Sequence, residues 1–335
     1  MDQKVHDNVI NVTSYETYLG DIVCSSGSND RNINNRYNQG IGSVSQIVTI
    51  LNQVSLGHYH YEIGLVLRDT ILVSKLVSSS EVWYNLTEKQ VSKLEKVDEM
   101  FFRNLFSLAK SAPKEGMFIE CGKMPIRFVI IMRRIMFYWS VLHRDENELL
   151  HKFLTAQQLS TSKTDWLHQV RKNISDLQLN MTDCQIAIMP KEQFKNKLKQ
   201  KTEMLAVKYL QKLQHSHSKT NQLTIKNFTP SEYLLSAELN KEEVQTLYKL
   251  RNRMIDVKCN KKSYYKQNLW CKTCYLFPES QQHLMQCITL VDKLKDVICL
   301  KTLDYKMIFG NLQDQVKIAK CYTIIMKTRL DVLEL

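Results

Sequence analysis

The sequence is poor in the residues that interrupt helices. Its 335 residues include only 9 Gly and 5 Pro, whereas average usage of about 7% and 5% would give about 23 and 17. Sandwiches, barrels and doubly wound sheets need many tight turns, in which Gly and Pro are common. Hydrophobic residues make up 44% of the chain, which excludes wholesale disorder. We therefore predict a mainly α protein with a short N-terminal β segment.

Long apolar runs are also absent. The most apolar stretch, residues 128–142, contains Arg133 and Arg134 and is shorter than the roughly 20 residues that a membrane span requires. The N-terminus has no apolar segment typical of a secretory signal. Nine irregularly spaced cysteines do not indicate a disulfide framework. We expect no membrane association and an intracellular location, which could be cytoplasmic, nuclear or both.

Common catalytic motifs are missing as well. The chain has no Asp-Asp pair, no Gly-x-x-x-x-Gly-Lys loop, no Gly-x-Ser-x-Gly elbow and no His-Glu-x-x-His helix. Each of these motifs places metal-binding or nucleophilic groups at a fixed spacing. We therefore expect the chain not to be an enzyme on its own.

Positive charge is present in excess and is clustered. The 46 Lys and Arg residues outnumber 34 Asp and Glu residues, which gives a formal charge of +12. Residues 123–144 hold five cations and no acid, residues 191–226 hold nine Lys and two Glu, and residues 249–274 hold eight cations and one Asp. Clustered cations favour a polyanionic partner, because each Lys or Arg at a phosphate releases condensed counterions. We predict binding to RNA, DNA or both.

The candidate contacts come from all three clusters, and two tyrosines among them are suited to stack on unpaired bases. The alternative is that lysines on a long helix form only a solvated face, and both interpretations stay open for residues 191–226. The candidates are Arg133, Arg134, Lys195, Lys197, Lys199, Arg251, Arg253, Lys261, Lys262, Tyr264 and Tyr265.

A group of Cys and His residues near the C-terminus has the spacing of a metal site. Cys271 and Cys274 are followed by His283 and Cys287 in the pattern Cys-x2-Cys-x8-His-x3-Cys. The first pair fits a tight turn, and residues four apart share one face of a helix. Four protein ligands close a tetrahedron without water, so we predict one structural zinc ion. The alternative is that these are ordinary core residues.

Local patterns also predict individual elements. Residues 18–23 are typical of a short strand, and the apolar spacing of residues 191–215 predicts a long basic helix. Thr87 with Gln90 and Asn240 with Glu243 have the spacing of capping boxes, so each pair predicts the start of a helix.

A series of short motifs runs along most of the chain. The first are Tyr18-Leu19-Gly20-Asp21, Gly27, Asn32-Ile33, Arg36 and Gly40. The later ones are Glu62-Ile63, Leu67-Arg68, Glu81-Val82-Trp83, Leu94-Glu95-Lys96-Val97-Asp98, Glu120-Cys121-Gly122, Pro125-Ile126 and Arg133-Arg134-Ile135. In this order, and with the Cys/His pattern, they resemble the reverse transcriptases of non-LTR (LINE-like) retrotransposons downstream of the catalytic Asp-Asp motif. The resemblance spans roughly residues 15–290.

The resemblance implies the C-terminal portion of such a polymerase, because the catalytic carboxylates would precede Tyr18. It implies that the thumb holds a template–primer duplex and that the zinc knuckle contacts the element RNA. The implied segments are a palm remnant with its last strand and turn (1–28), a helical thumb-like region (29–158), a helical connection with the basic helix (159–256), the CCHC zinc knuckle (257–290) and C-terminal helices (291–335).

Three functions are open at this point. The first is a nucleic-acid-binding remnant of a reverse transcriptase that lacks the catalytic carboxylates. The second is a helical adaptor whose zinc knuckle binds protein. The third is RNA-directed DNA polymerase activity with fingers and palm supplied in trans. Salt-dependent affinity for RNA or DNA separates the first function from the second.

We expect the isolated chain to incorporate no nucleotide on any primed template. Nucleotide addition needs carboxylates that hold two metal ions, and the sequence offers no Asp-Asp pair for them. Primer extension with Mg²⁺ measures this directly. Template-directed extension that is abolished by a mutation within the chain would contradict the expectation.

Overall fold

The fold is mainly helical, and two short antiparallel sheets of two strands each lie near the N-terminus, which confirms the predicted fold class. No helix in the part of the chain that the structure covers is both long and apolar enough to span a bilayer. A computed structural model describes residues 3–5, 8–10, 13–18, 20–216, 219–225, 227–260, 269–295, 297 and 303–334.

Two hairpins form the N-terminal β segment. β1 (Gln3–Val5) pairs with β2 (Asn8–Ile10), and β3 (Tyr15–Tyr18) pairs with β4 (Asp21–Cys24). The prediction of one strand over residues 18–23 was therefore wrong, because the chain reverses direction within this stretch. Gly20 has a φ of +88°, which glycine adopts without strain, so a tight turn replaces the middle of the expected strand.

Helices make up most of the remaining chain. A π-helical segment, Arg68–Val73, connects α2 to α3. The basic helix predicted over residues 191–215 is present and is α10. The helices are α1 (Asp30–Gln53), α2 (His60–Leu67), α3 (Ser74–Leu76), α4 (Glu88–Leu105), α5 (Lys114–Cys121), α6 (Ile126–Leu142), α7 (Leu149–Gln158), α8 (Trp166–Asp176), α9 (Asp183–Ile188), α10 (Lys191–His215), α11 (Lys241–Arg251), α12 (Gln281–Gln286), α13 (Ile288–Leu294) and α14 (Leu312–Glu334).

Both predicted capping boxes are present. The backbone N–H of Gln90 donates to Thr87 Oγ1 at 3.2 Å, and the backbone N–H of Thr87 donates to Gln90 Oε1 at 2.9 Å. Asn240 and Glu243 make the same reciprocal pair at the start of α11. Each box satisfies two backbone donors that a helix N-terminus otherwise leaves without a partner.

The chain forms two compact units that interleave along the sequence. Unit 1 contains Met1–Ile47, Leu67–Phe101 and Met124–Ala206, and unit 2 contains Val48–Val66, Phe102–Lys123 and Val207–Leu335. The five segments expected from the sequence are consecutive, whereas each compact unit collects distant parts of the chain. The five-segment division stays a prediction.

Unit 1 has an apolar core built around α6. The indole N–H of Trp166 donates to the carbonyl oxygen of Glu81 at 2.7 Å, so this large side chain is buried without losing its hydrogen bond. The core contains Ile135, Tyr138, Val141, Leu154, Trp166, Leu167, Val170, Leu177, Leu179, Ile186, Phe194 and Leu198.

A buried ion pair lies elsewhere in unit 1. Arg68 donates through Nε and Nη2 to the two carboxylate oxygens of Asp98 at 2.7 and 2.6 Å, and the two side chains are 3% and 0% exposed. Asp69, which is 45% exposed, accepts a further hydrogen bond from Arg68 Nη1. The bidentate geometry matters because a buried charge is tolerated only when it is paired and hydrogen-bonded.

Unit 2 is organised by stacked aromatic rings. Phe106 stacks on Tyr61 at 5.1 Å and on Tyr248 at 4.1 Å between ring centroids. The Tyr61 hydroxyl donates to the carbonyl oxygen of Lys241 at 2.9 Å, which fixes this ring against the start of α11. The stack thereby joins segments that are far apart in the sequence into one core.

We expect Asp98→Asn to lower the free energy of unfolding by about 3 kcal/mol, because it leaves the Arg68 guanidinium buried without its main counter-charge. Urea denaturation followed by circular dichroism measures the loss. Glu148→Gln is the control, because Glu148 pairs with Arg144 at 3.2 Å on the exposed surface, where a pair contributes about 1 kcal/mol or less. Equal losses in the free energy of unfolding for the two variants would contradict the expectation that the buried pair contributes more than the exposed one.

Candidate functional site

The four side chains of the Cys/His pattern converge on one point. Their ligand atoms all lie within 4.8 Å of one another. The sulfur atoms of Cys271 and Cys287 are 3.9 Å apart, and Cys274 Sγ lies 3.3 Å from His283 Nε2. A tetrahedral site with bonds of about 2.3 Å to sulfur and 2.0 Å to nitrogen would give separations of about 3.8 and 3.5 Å. The arrangement therefore has the dimensions of a site for a single metal ion.

A tight hairpin positions the first two ligands. Trp270 and Pro278 form an antiparallel bridge, and the backbone N–H of Cys271 donates to the carbonyl oxygen of Phe277 at 2.7 Å. Tyr275 has a φ of +58°, in the left-handed region, and turns the chain back directly after Cys274. The turn therefore brings Cys271 and Cys274 together, as their spacing predicted.

A short helix positions the other two ligands. Ser280 Oγ caps α12 by accepting a hydrogen bond from the backbone N–H of His283 at 3.0 Å. Cys287 lies at the junction where α12 ends and α13 begins. Since His283 and Cys287 are four residues apart, one helical turn brings their ligand atoms to the same side.

Burial and nearby donors set the protonation of the ligands. Burial raises the pKa of Cys287 to about 11, an effect that the Thr273 hydroxyl only partly offsets. Burial acts in the same direction on Cys274, but hydrogen bonds from the backbone N–H groups of Leu276 and Phe277 bring its pKa below the usual value. Burial lowers the pKa of His283, which favours the neutral ring that binds metals. A divalent cation would supply the positive charge that stabilises the buried thiolates.

A buried ion pair supports the hairpin from behind. Glu279, which is 1% exposed, accepts a hydrogen bond from Arg329 Nη2 of α14 at 2.8 Å. Its second oxygen accepts from the backbone N–H of Lys258 at 3.1 Å. The Tyr322 hydroxyl of α14 donates to the carbonyl oxygen of Gln281 at 3.0 Å, which anchors the start of α12. The segment that carries the four Cys/His residues is thus held in place by contacts with α14.

The sequence analysis missed these supporting residues. Arg329 is fifty positions from Glu279, and neither residue belongs to a recognisable motif. A buried acid and an exposed acid look the same in one sequence, so no signal could have singled them out.

The lysine candidates lie on the exposed surface of α10. Lys195, Lys197 and Lys199 are exposed. Lys195 is 3.8 Å from Glu192, and Lys199 is 3.9 Å from Glu203, so both contacts are longer than a hydrogen bond. These lysines remain candidates for contact with a polyanion.

The structure corrects two arginine candidates. Arg134 is 3% exposed and donates to Asn173 Oδ1 at 2.8 Å and to the carbonyl oxygen of Trp83 at 2.7 Å. Arg251 is largely buried and donates to Glu120 at 2.7 Å. Neither guanidinium is presented to a phosphate, because the fold itself uses its donors. We therefore remove Arg134 and Arg251 from the candidate contacts.

The remaining candidates fall into two groups. Arg133 is 41% exposed but already donates to Glu81 at 2.8 Å, and Arg253 is partly exposed in the loop after α11. The last four candidates lie outside the described residues, and they are Lys261, Lys262, Tyr264 and Tyr265.

Comparison of the chain with protein-family models, with curated proteins and with solved structures finds no match. The resemblance to reverse transcriptases therefore depends on the sequence motifs alone, and the arguments about function depend on the geometry of the site.

We expect the purified chain to contain one zinc ion per molecule and Cys271→Ser to lose it. Because a closed site of four protein ligands contributes folding energy directly, the variant should lose amide protection in residues 269–294 and keep it in unit 1. Elemental analysis and hydrogen exchange measure the two effects. Cys184→Ser is the matched control, because Cys184 is exposed and outside the cluster. Absence of stoichiometric zinc from the unmutated protein would contradict the expectation.

Proposed function

We propose that this protein binds nucleic acid through the lysines of α10 and that a single structural zinc ion shapes its Cys/His hairpin. The proposal agrees with the resemblance to the C-terminal portion of non-LTR retrotransposon reverse transcriptases. It assigns the chain a role in holding RNA or DNA, either a template–primer duplex or the element RNA, and no part in nucleotide addition. The observation that carries it is the set of exposed cations on α10.

The charge of α10 is poorly neutralised. The helix contains seven Lys and two Glu, and both glutamates lie beyond hydrogen-bond distance of their nearest lysines. Lys197 makes no ion pair with any residue that the structure describes. Phe194 and Leu198 are fully buried in the core of unit 1, so the helix is held in place while its lysines extend into solvent. Ammonium groups on an anchored helix are suited to contact the phosphates of a nucleic acid.

Lysine also indicates the kind of recognition. An ammonium group is a compact charge without the planar geometry of a guanidinium, so it contacts phosphates with little discrimination among bases. We therefore infer binding that is largely independent of sequence and strongly dependent on salt.

The Cys/His hairpin adds exposed aromatic rings that are suited to single strands. Trp270, Tyr275 and Phe277 are 49%, 72% and 59% exposed, and Lys272 between them is also exposed. Aromatic rings beside a cation stack on unpaired bases irrespective of their identity. The hairpin would thereby favour single-stranded or looped RNA over a duplex.

The same segment favours a second candidate function, an adaptor that binds protein. Leu276 and Ile288 are aliphatic residues of the metal-binding segment, and they are 57% and 62% exposed. Exposed aliphatic groups have no stacking role, and they are typical of surfaces that pack against another protein. Nucleic-acid binding would require the lysines of α10, whereas protein binding by the Cys/His segment would not.

We expect replacement of Lys195, Lys197 and Lys199 by Ala to weaken RNA binding and to reduce the slope of log affinity against log salt by about 2. Each lost phosphate contact on a single strand removes about 0.7 from that slope. Fluorescence anisotropy with a labelled single-stranded RNA, over about 50–200 mM salt, measures the change.

The control variant replaces Lys89, Lys152 and Lys320 by Ala, which removes the same charge from exposed positions outside α10. It should retain most of the slope. An equal loss in both variants would show that net charge alone is responsible. If the unmutated chain has no salt-dependent affinity for RNA or DNA, the adaptor function becomes the better proposal.

A further inference from the structure

Unit 2 contains a cavity that neither the metal site nor the α10 lysines explain. Its volume is about 570 Å³, within the range of about 300–1,000 Å³ that is usual for small-molecule sites. The loop after α4, α11, the loop after α11 and α14 contribute to its lining, through residues such as Ser111, Thr246, Ile255 and Met326.

Lys249 is the unusual group in this cavity. It lies in the last turn of α11 and is half-buried, yet it makes no hydrogen bond or ion pair with any residue in the described part of the chain. Burial lowers the pKa of Lys249, since desolvation disfavours the charged form. The cavity therefore contains a partly desolvated cation that has no acceptor among the described residues.

The lining carries two ammonium groups and two carboxylates, and a lysine outside the lining pairs with one of the carboxylates. Glu242 lines it but is paired with Lys327 at 2.6 Å, so its charge is already neutralised. Lys219 also lines the cavity and donates to the carbonyl oxygen of Asn260 at 3.1 Å. Two ammonium groups, from Lys219 and Lys249, therefore accompany the single remaining carboxylate, that of Asp256.

The rest of the lining includes hydroxyl, amide and apolar side chains. Ser111 and Thr246 contribute hydroxyl donors to the same lining as the cations, whereas Leu108, Pro113 and Met326 provide an apolar surface. A ligand that satisfied both parts would have an anionic group and an apolar body. An ammonium group supported by hydroxyl donors is a common setting for phosphate.

We propose that this cavity binds an organic phosphate, with the Lys249 ammonium group on the phosphate oxygens and the apolar lining against the organic body. The phosphate has two possible sources, a free nucleoside monophosphate or the phosphorylated end of a nucleic-acid strand. The inference goes beyond the proposed function, because it uses a different helix and a cavity instead of an exposed surface.

The first experiment follows thermal unfolding of the full chain with and without adenosine monophosphate. The ligand should raise the unfolding temperature of the unmutated protein, because it binds only the folded state. Lys249→Met keeps the length of the side chain and removes its charge, so this shift should disappear and affinity should fall about tenfold or more. The variant without ligand should unfold at the same or a higher temperature, which separates a lost ligand contact from a damaged fold.

Lys241→Met is the matched control, because Lys241 is exposed at the other end of the same helix. It should respond to the ligand like the unmutated protein. Replacement of Lys195, Lys197 and Lys199 should leave the response to the ligand intact as well. The proposal for the cavity and the proposal for the α10 surface can therefore be contradicted independently of each other.

The second experiment identifies the source of the phosphate by comparing oligonucleotides with a 5′-phosphate and a 5′-hydroxyl. A preference for the phosphorylated strand that depends on Lys249 would assign the cavity to a strand end. Stabilisation by adenosine monophosphate without this preference would assign it to a free organic phosphate. The proposal is overturned if adenosine monophosphate, inorganic phosphate and the phosphorylated strand fail to bind, or bind the unmutated protein and Lys249→Met equally.

Discussion

Buried arginines impose the main constraint on this fold. A guanidinium group has five N–H donors that lose water on burial, and each buried arginine must therefore meet an acceptor. Asp98 forms an ion pair with Arg68 in unit 1, and Glu279 forms one with Arg329 in unit 2. These pairs join residues that are far apart in the sequence, and loss of either partner would leave a buried charge uncompensated.

This constraint also decides which positive charges remain available outside the fold. Arg127 pairs with Glu95 at 2.6 Å and Arg133 with Glu81 at 2.8 Å, so much of the basic cluster in residues 123–144 is neutralised internally. The lysines of α10 have only distant carboxylates beside them. A formal charge count treats lysine and arginine alike. In this fold many arginines donate hydrogen bonds to other groups of the protein, whereas lysines such as those of α10 lie at the surface.

Local signals explain what could be predicted from the sequence. A capping box such as Asn240 with Glu243, the helix of residues 191–215 and the four metal ligands each depend on residues close together in the chain. The turn at Gly20 was missed because a strand and a hairpin share the same apolar residues. The loss of Arg134 and Arg251 as candidate contacts could not be foreseen, since burial depends on partners as distant as Glu120, which is 131 positions from Arg251.

With the proposed zinc ion in the Cys/His cluster, the contact between Glu279 and Arg329 would couple metal occupancy to the C-terminal helix. Free-energy coupling between two sites is reciprocal, so whatever loosened α14 would weaken the hold of the Cys/His site on that ion by the same factor. Withdrawal of the ion would in turn loosen α14. A helix that contributes none of the four ligands would thereby become a remote determinant of metal retention, and its packing would report the supply of metal around the protein.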